Sequence, residues 1–106
     1  MSEELQTLDL ELKELFVKQE YEQMLELLNN VTDHDVLDMT TQNWDVVKKY
    51  SDMGRTDLLR QHLTFVAYAS FITEYAGKRG VLKDEVYQEK FSLFEEIFEK
   101  LQAEKN

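Results

Sequence analysis

His34 lies between Asp33 and Asp35, with Asp38 close behind, and on a helix Asp35 and Asp38 share a face. Carboxylate oxygens beside an imidazole nitrogen form a donor set that a divalent cation accepts. A calcium-binding loop opening at Asp33 would need glycine at its sixth position and glutamate at its twelfth, where the sequence has Asp38 and Trp44. The cluster therefore reads as acids at a helix amino terminus, where anions are favoured. His62 stands near the most apolar stretch without a serine or cysteine signature, which suits a packed or edge histidine better than a catalytic base. Glu95, Glu96 and Glu99 fall on a solvated helix face, and no Glu-x-x-His pair exists to bridge two metals. There is no cysteine and no glycine-rich phosphate loop. The expectation is a chain without catalytic, metal or cofactor residues, and not an enzyme.

Binding chemistry is better represented. The chain carries 22 acids against 12 bases, a formal charge of -10, which disfavours direct contact with a nucleic-acid backbone. The acids concentrate in residues 1–45, and Lys48, Lys49, Arg55, Arg60, Lys78, Arg79 and Lys83 form a cationic island in the middle. Those bases are expected to pair across the bundle with the acids of the first and last helices, or else to mark one binding face. Glu11, Glu14, Glu22, Glu26, Asp33, Asp35 and Asp38 are the candidate acidic surface, since carboxylates spaced along rigid helices can imitate a phosphate backbone. Trp44 opens a helix as either a core anchor or an interface hot spot. Phe94 and Phe98 belong to an aromatic stripe with Tyr87 and Phe91 that is core in the main, with a remainder available to a partner or a second copy.

The elements that must position these residues are helices. Proline is absent and glycine occurs only at Gly54, Gly77 and Gly80, which become expected helix ends. Leu5, Leu8, Leu12 and Leu15 place a first helix over about Glu3 to Lys18; Tyr21, Met24, Leu25 and Leu28 continue the period on a rotated face, with either a break near Gln19 or one continuous rod. Thr32 caps a short segment through Met39, and Thr40 and Thr41 offer a second cap for a helix that Gly54 stops. Thr56 and Asp57 cap a helix to about Ala76 whose middle, LTFVAYASFI, is apolar nearly all round, as in a central helix. Asp84 begins the last helix, on which Tyr87, Phe91, Phe94, Phe98 and Leu101 recur at helical spacing.

A shift of 34 residues pairs Leu12 with Val46, Phe16 with Tyr50, Met24 with Leu58 and Leu25 with Leu59. This spacing resembles the period of tetratricopeptide repeats, in which a helix pair recurs. Leu25 and Leu59 stand where such repeats carry alanine and no third copy follows, so no family is assigned; a helical hairpin gives the same pairing.

Together these features predict an all-α fold, a compact bundle of four to five helices, mostly antiparallel, in a single helical domain over residues 1–106. The acidic, leucine-spaced amino terminus is unlike an export signal, and the apolar run from Leu63 to Ile72 is about half the ~20 residues a membrane span requires. A cytoplasmic protein without membrane contact is expected. The function expected is stoichiometric binding to another protein, as an adaptor, inhibitor or immunity-type factor. Alternatives are an acidic nucleic-acid mimic that inhibits a nucleic-acid-binding protein, such as a phage or mobile-element anti-defence factor, and a self-associating structural subunit, in which a homodimer forms.

Overall fold

Apolar spacing and chain-reversing turns divide the chain into six helices, seen in a computed structural model that describes residues 1–105, the side chains of 104 and 105 excepted. They are α1 (Glu3–Val17), α2 (Tyr21–Asn29), α3 (Asp33–Asp52), α4 (Thr56–Gln61), α5 (Leu63–Arg79) and α6 (Asp84–Lys105). No strand occurs among the described residues. The expected four to five helices become six because the chain breaks both near Gln19 and at His62, while one expected break is missing.

That missing break lies in α3. Thr40 and Thr41 do not start a new helix; the buried Thr40 hydroxyl donates to the Val36 carbonyl (2.7 Å) inside a continuous helix of 20 residues. A threonine hydroxyl bonded back one turn is satisfied without ending the helix. The true cap is Thr32, whose side chain accepts from the Asp35 N–H (3.2 Å). Conversely, the helix expected from Thr56 to Ala76 turns at His62 (φ −108°, ψ 36°) into α4 and α5. Thr56 is not the capping residue there: Arg55 occupies that position, and its guanidinium forks onto Asp57 (2.9 and 2.8 Å).

Three helices end in the same way. Gln19 (φ 62°), Gly54 (φ 65°) and Gly80 (φ 85°) adopt left-handed backbone after α1, α3 and α5. In each case the next N–H reaches back to a carbonyl of the last turn: Glu20 to Leu15 (2.9 Å), Arg55 to Tyr50 (3.1 Å) and Val81 to Ala76 (3.0 Å). These bonds satisfy carbonyls that a helix end would otherwise leave orphaned. The turns after α1 and α3 recur one residue out of step with the 34-residue shift, so that pairing reflects two helical hairpins closed by one motif. Gly77, expected at the helix exit, lies within α5 instead. A Cβ there would run into the Tyr87 ring, at Cδ1 and 2.7 Å from Cε1, so α6 crosses where α5 has no side chain.

The core is built around α3 and α5. Met39, Tyr68 and Ile72 pack with Leu5, Leu12, Met24 and Leu28 of the first hairpin. Val47, Val66 and Ala69 pack with Leu59, Phe94, Ile97 and Leu101 of α4 and α6. A third group joins Val36, Ala76 and Leu82. The expectation of a central helix is thus met by α5, and α3 shares that role. Arg79 ties the α2–α3 connection to this centre by donating to the Leu28 (2.9 Å) and Val31 (2.6 Å) carbonyls, while its Nε lies 3.0 Å from Asp33. Three bases of the central island pair locally rather than across the bundle, Lys48 with Asp52, Arg55 with Asp57 and Lys78 with Glu74, whereas Arg79 reaches Asp33 and Arg60 donates to the Leu101 carbonyl of α6. No helix among the described residues is long and apolar enough to cross a membrane.

Candidate functional site

On α1, Asp9 falls between Leu5 and Leu12 on the helix face that packs inward, and it is only 4% exposed. A carboxylate in that position must be paired and hydrogen-bonded to be tolerated. Three helices supply the partners. From α5 the Tyr68 hydroxyl donates to Asp9 Oδ1 (2.6 Å), and from α3 the Asn43 side-chain amide donates to the same oxygen (3.1 Å). One turn along α1, Lys13 Nζ lies 2.9 Å from Oδ2. Lys13 also sits over the rings of Phe65 (5.0 Å) and Tyr68 (5.6 Å), so a carboxylate and two aromatic rings flank the ammonium while its side chain stays 32% exposed. Burial, with the adjacent Asp9 charge and hydrogen bond, pushes the Tyr68 hydroxyl far above the ordinary tyrosine value and keeps it a donor.

Asp9, Lys13 and Asn43 of this cluster line the depth of a cleft of about 410 Å³ between α1, α3 and the start of α5, with Tyr68 buried behind them. Gln42, Val46, Tyr50, His62 and Phe65 line its walls and rim, with Met1 at one edge. The Tyr50 and His62 rings stack at 6.0 Å and 18°, giving one wall a flat face. Its volume is within the range of small-molecule and side-chain sites, and its polar floor with aromatic walls has the composition of such sites. Among the described residues no group of three or more histidine, aspartate or glutamate side chains could hold a metal ion, and that includes the His34 cluster.

None of the ten residues proposed from sequence lines this cleft. Glu11 and Glu14 are exposed on α1 and Glu22 and Glu26 on α2, and none of the four has an ion-pair partner among the described residues. Asp33 is paired with Arg79; Asp35 lies 3.5 Å from His34 Nδ1; Asp38 is half-buried on α3. Trp44 is half-buried against α6, its indole N–H donating to the Lys90 carbonyl (3.1 Å) with Lys90 Nζ 3.9 Å from the ring centre. Desolvation in that contact holds the Lys90 ammonium below the usual lysine value. Phe94 is 0% exposed and packs with Val47, Val66 and Ile97, so its ring belongs to the core and offers a partner no surface; Phe98 is 38% exposed.

The residues that sequence reasoning passed over are Asp9, Lys13, Asn43 and Tyr68. The available signal was a polar residue on a helix's apolar stripe, Asp9 between Leu5 and Leu12 and Asn43 between Met39 and Val47. No family model matches the chain, and no curated protein or solved structure is detectably similar to it.

Proposed function

We propose that the protein acts by stoichiometric binding to another protein, as an adaptor, inhibitor or immunity-type factor, and that the face around the cleft makes the contact. The observation behind this reading is the row Leu10, Lys13, Val17 along one side of α1, in which Leu10 (61% exposed) and Val17 (66% exposed) stand one turn to either side of Lys13, the residue of the row that lines the cleft. Val46, 39% exposed, stands on the opposite rim. Aliphatic side chains left in water around a concave polar floor are what a partner's core residues cover on docking. No catalytic role is part of this reading; the Asp9 carboxylate, the Asn43 Nδ2 donors and the Tyr68 hydroxyl hold three helices together.

A double variant, Leu10→Glu with Val17→Glu, tests it. Both side chains are solvated, so the fold should be kept, and the partner that wild-type protein recovers from its host at fixed stoichiometry should be lost. Recovery of that partner at wild-type level by the folded double variant would remove the cleft face from the interaction.

A second reading is favoured by the four exposed, unpaired glutamates Glu11, Glu14, Glu22 and Glu26: an acidic mimic that occupies the nucleic-acid channel of another protein. Reversing all four to lysine should then abolish binding and its salt dependence, and binding unchanged by the reversal would sink the mimic. Self-association through Val86 and Phe98, each 38% exposed, predicts a mass that rises with concentration in light scattering.

A further inference from the structure

The floor of the cleft is electrically balanced but not saturated with hydrogen bonds. Asp9 and Lys13 cancel each other's charge at 2.9 Å, so the depth of the cleft selects neither an anion nor a cation. Asn43 donates through Nδ2 to two acceptors, Asp9 Oδ1 (3.1 Å) and the Met39 carbonyl (2.9 Å), which fixes the orientation of its amide. Among the described residues its Oδ1 accepts from no donor, and no fully buried side-chain oxygen or nitrogen there lacks a partner, so this oxygen of a 4% exposed residue opens onto the cleft it lines. Lys13 has three N–H donors and directs one to Asp9, and the hydroxyl of Tyr50, on the wall, has no hydrogen-bond partner among the described residues. An unused acceptor and unused donors thus face one space bounded by the Phe65 ring and the parallel Tyr50–His62 pair.

We propose that the cleft binds a carboxamide, a planar and uncharged group that offers a donor to Asn43 Oδ1 and an acceptor to Lys13 or Tyr50, supplied by a glutamine or asparagine side chain of the protein partner. The proposal rests on the protein-binding reading for the source of the amide, while its chemistry is testable without any partner. A carboxylate in the same place meets Asn43 Oδ1 with no proton to give, and an amidinium meets Lys13 with like charge. Flatness matches the aromatic walls, as stacking requires.

The test uses three isosteres, benzamide, benzoate and benzamidinium, titrated into the isotopically labelled full chain and followed by nuclear magnetic resonance. Benzamide should shift the Asn43 side-chain amide and the backbone signals of Val46, His62 and Phe65 saturably, at about 1 mM as expected for so small a ligand. Both charged isosteres should bind at least about tenfold more weakly. Val46→Trp, which fills the rim without touching the floor, should abolish the benzamide shifts; Gln42→Trp, also on the rim and exposed, takes its place if that variant does not fold. Absence of saturable shifts, equal or tighter binding of either charged isostere, or shifts that survive a folded rim variant each overturn the proposal. Because the measurement needs no partner, its failure leaves the Leu10 and Val17 test standing, and failure of that test leaves the amide site standing.

Discussion

A carboxylate as buried as Asp9 costs several kcal/mol to desolvate unless its partners return that energy, and here a hydroxyl, an amide and an ammonium all do. The arrangement couples α1, α3 and α5 through one side chain, and its tyrosine carries a pH dependence. Tyr68 has a raised value in the fold, so above the unfolded-state value of 10.0 the unfolded chain releases that proton while the native chain keeps it. The native state then binds more protons than the unfolded state, and stability must fall as pH rises. The contribution is complete below pH 10 and declines above it by at most about 1.4 kcal/mol per pH unit for this one group. Tyr87, raised by desolvation and by Glu74, acts in the same direction. Tyr68→Phe should lower stability near neutrality by about 1 kcal/mol, since Asp9 Oδ1 loses a donor, yet flatten the alkaline decline. Urea melts at pH 8 and pH 11 check this: parallel losses in both proteins would mean that Tyr68 does not titrate differently on unfolding.

At the scale of the elements, turn chemistry decides what was legible in the residues. The break near Gln19 could be drawn from the rotated apolar set Tyr21, Met24, Leu25 and Leu28, but its motif could not, because glutamine gives no hint of left-handed backbone. A non-glycine residue there costs about 1–2 kcal/mol in left-handed backbone, from which the roughly 0.5–1 kcal/mol of chain entropy that glycine loses on folding is subtracted. Gln19→Gly should therefore stabilise the protein by about 0.5–1 kcal/mol, seen as a rise of a few degrees in Tm, whereas a lowered Tm would contradict the geometry at φ 62°. Gly77 misled in the opposite sense: glycine near a helix end usually marks the end, while here it admits the Tyr87 ring. Gly77→Ala in the wild type should destabilise by about 1–2 kcal/mol despite alanine's better helix propensity. With Tyr87→Ala already present, the same change should stabilise by up to about 1 kcal/mol, and matching effects in the two backgrounds would show that the ring is not the obstacle. Thr40 and His62 mark the remaining differences. A buried hydroxyl bonded to its own helix looks in sequence like a cap, and nothing in RQHLTF announces a turn.

Across the whole molecule, periodicity made the all-helical class and the central α5 readable, because burial follows leucine and aromatic spacing directly. The cleft was not readable, since it requires that residues on α1, α3 and α5 meet, and one chain's spacing carries no information about which helices become neighbours. Charge distribution, by contrast, is a whole-molecule property the residues state outright, and it makes a prediction independent of any partner. Residues 1–45 hold twelve acids and two bases, and of these acids Glu11, Glu14, Glu22 and Glu26 are solvated and unpaired on α1 and α2. Mutual repulsion there opposes the compact state, within an overall extent of 41 × 31 × 24 Å. Reversing the four to lysine takes the formal charge from -10 to about -2 and removes repulsion without disturbing a contact. At 10 mM salt, where the Debye length is about 30 Å and spans most of the molecule, the variant should melt several degrees above the wild type. At 1 M salt, with screening over about 3 Å, the two melting curves should converge. A difference in Tm that persisted at 1 M salt would have to come from helix propensity or local contacts at the four positions, and the acidic surface would then carry no net energetic strain.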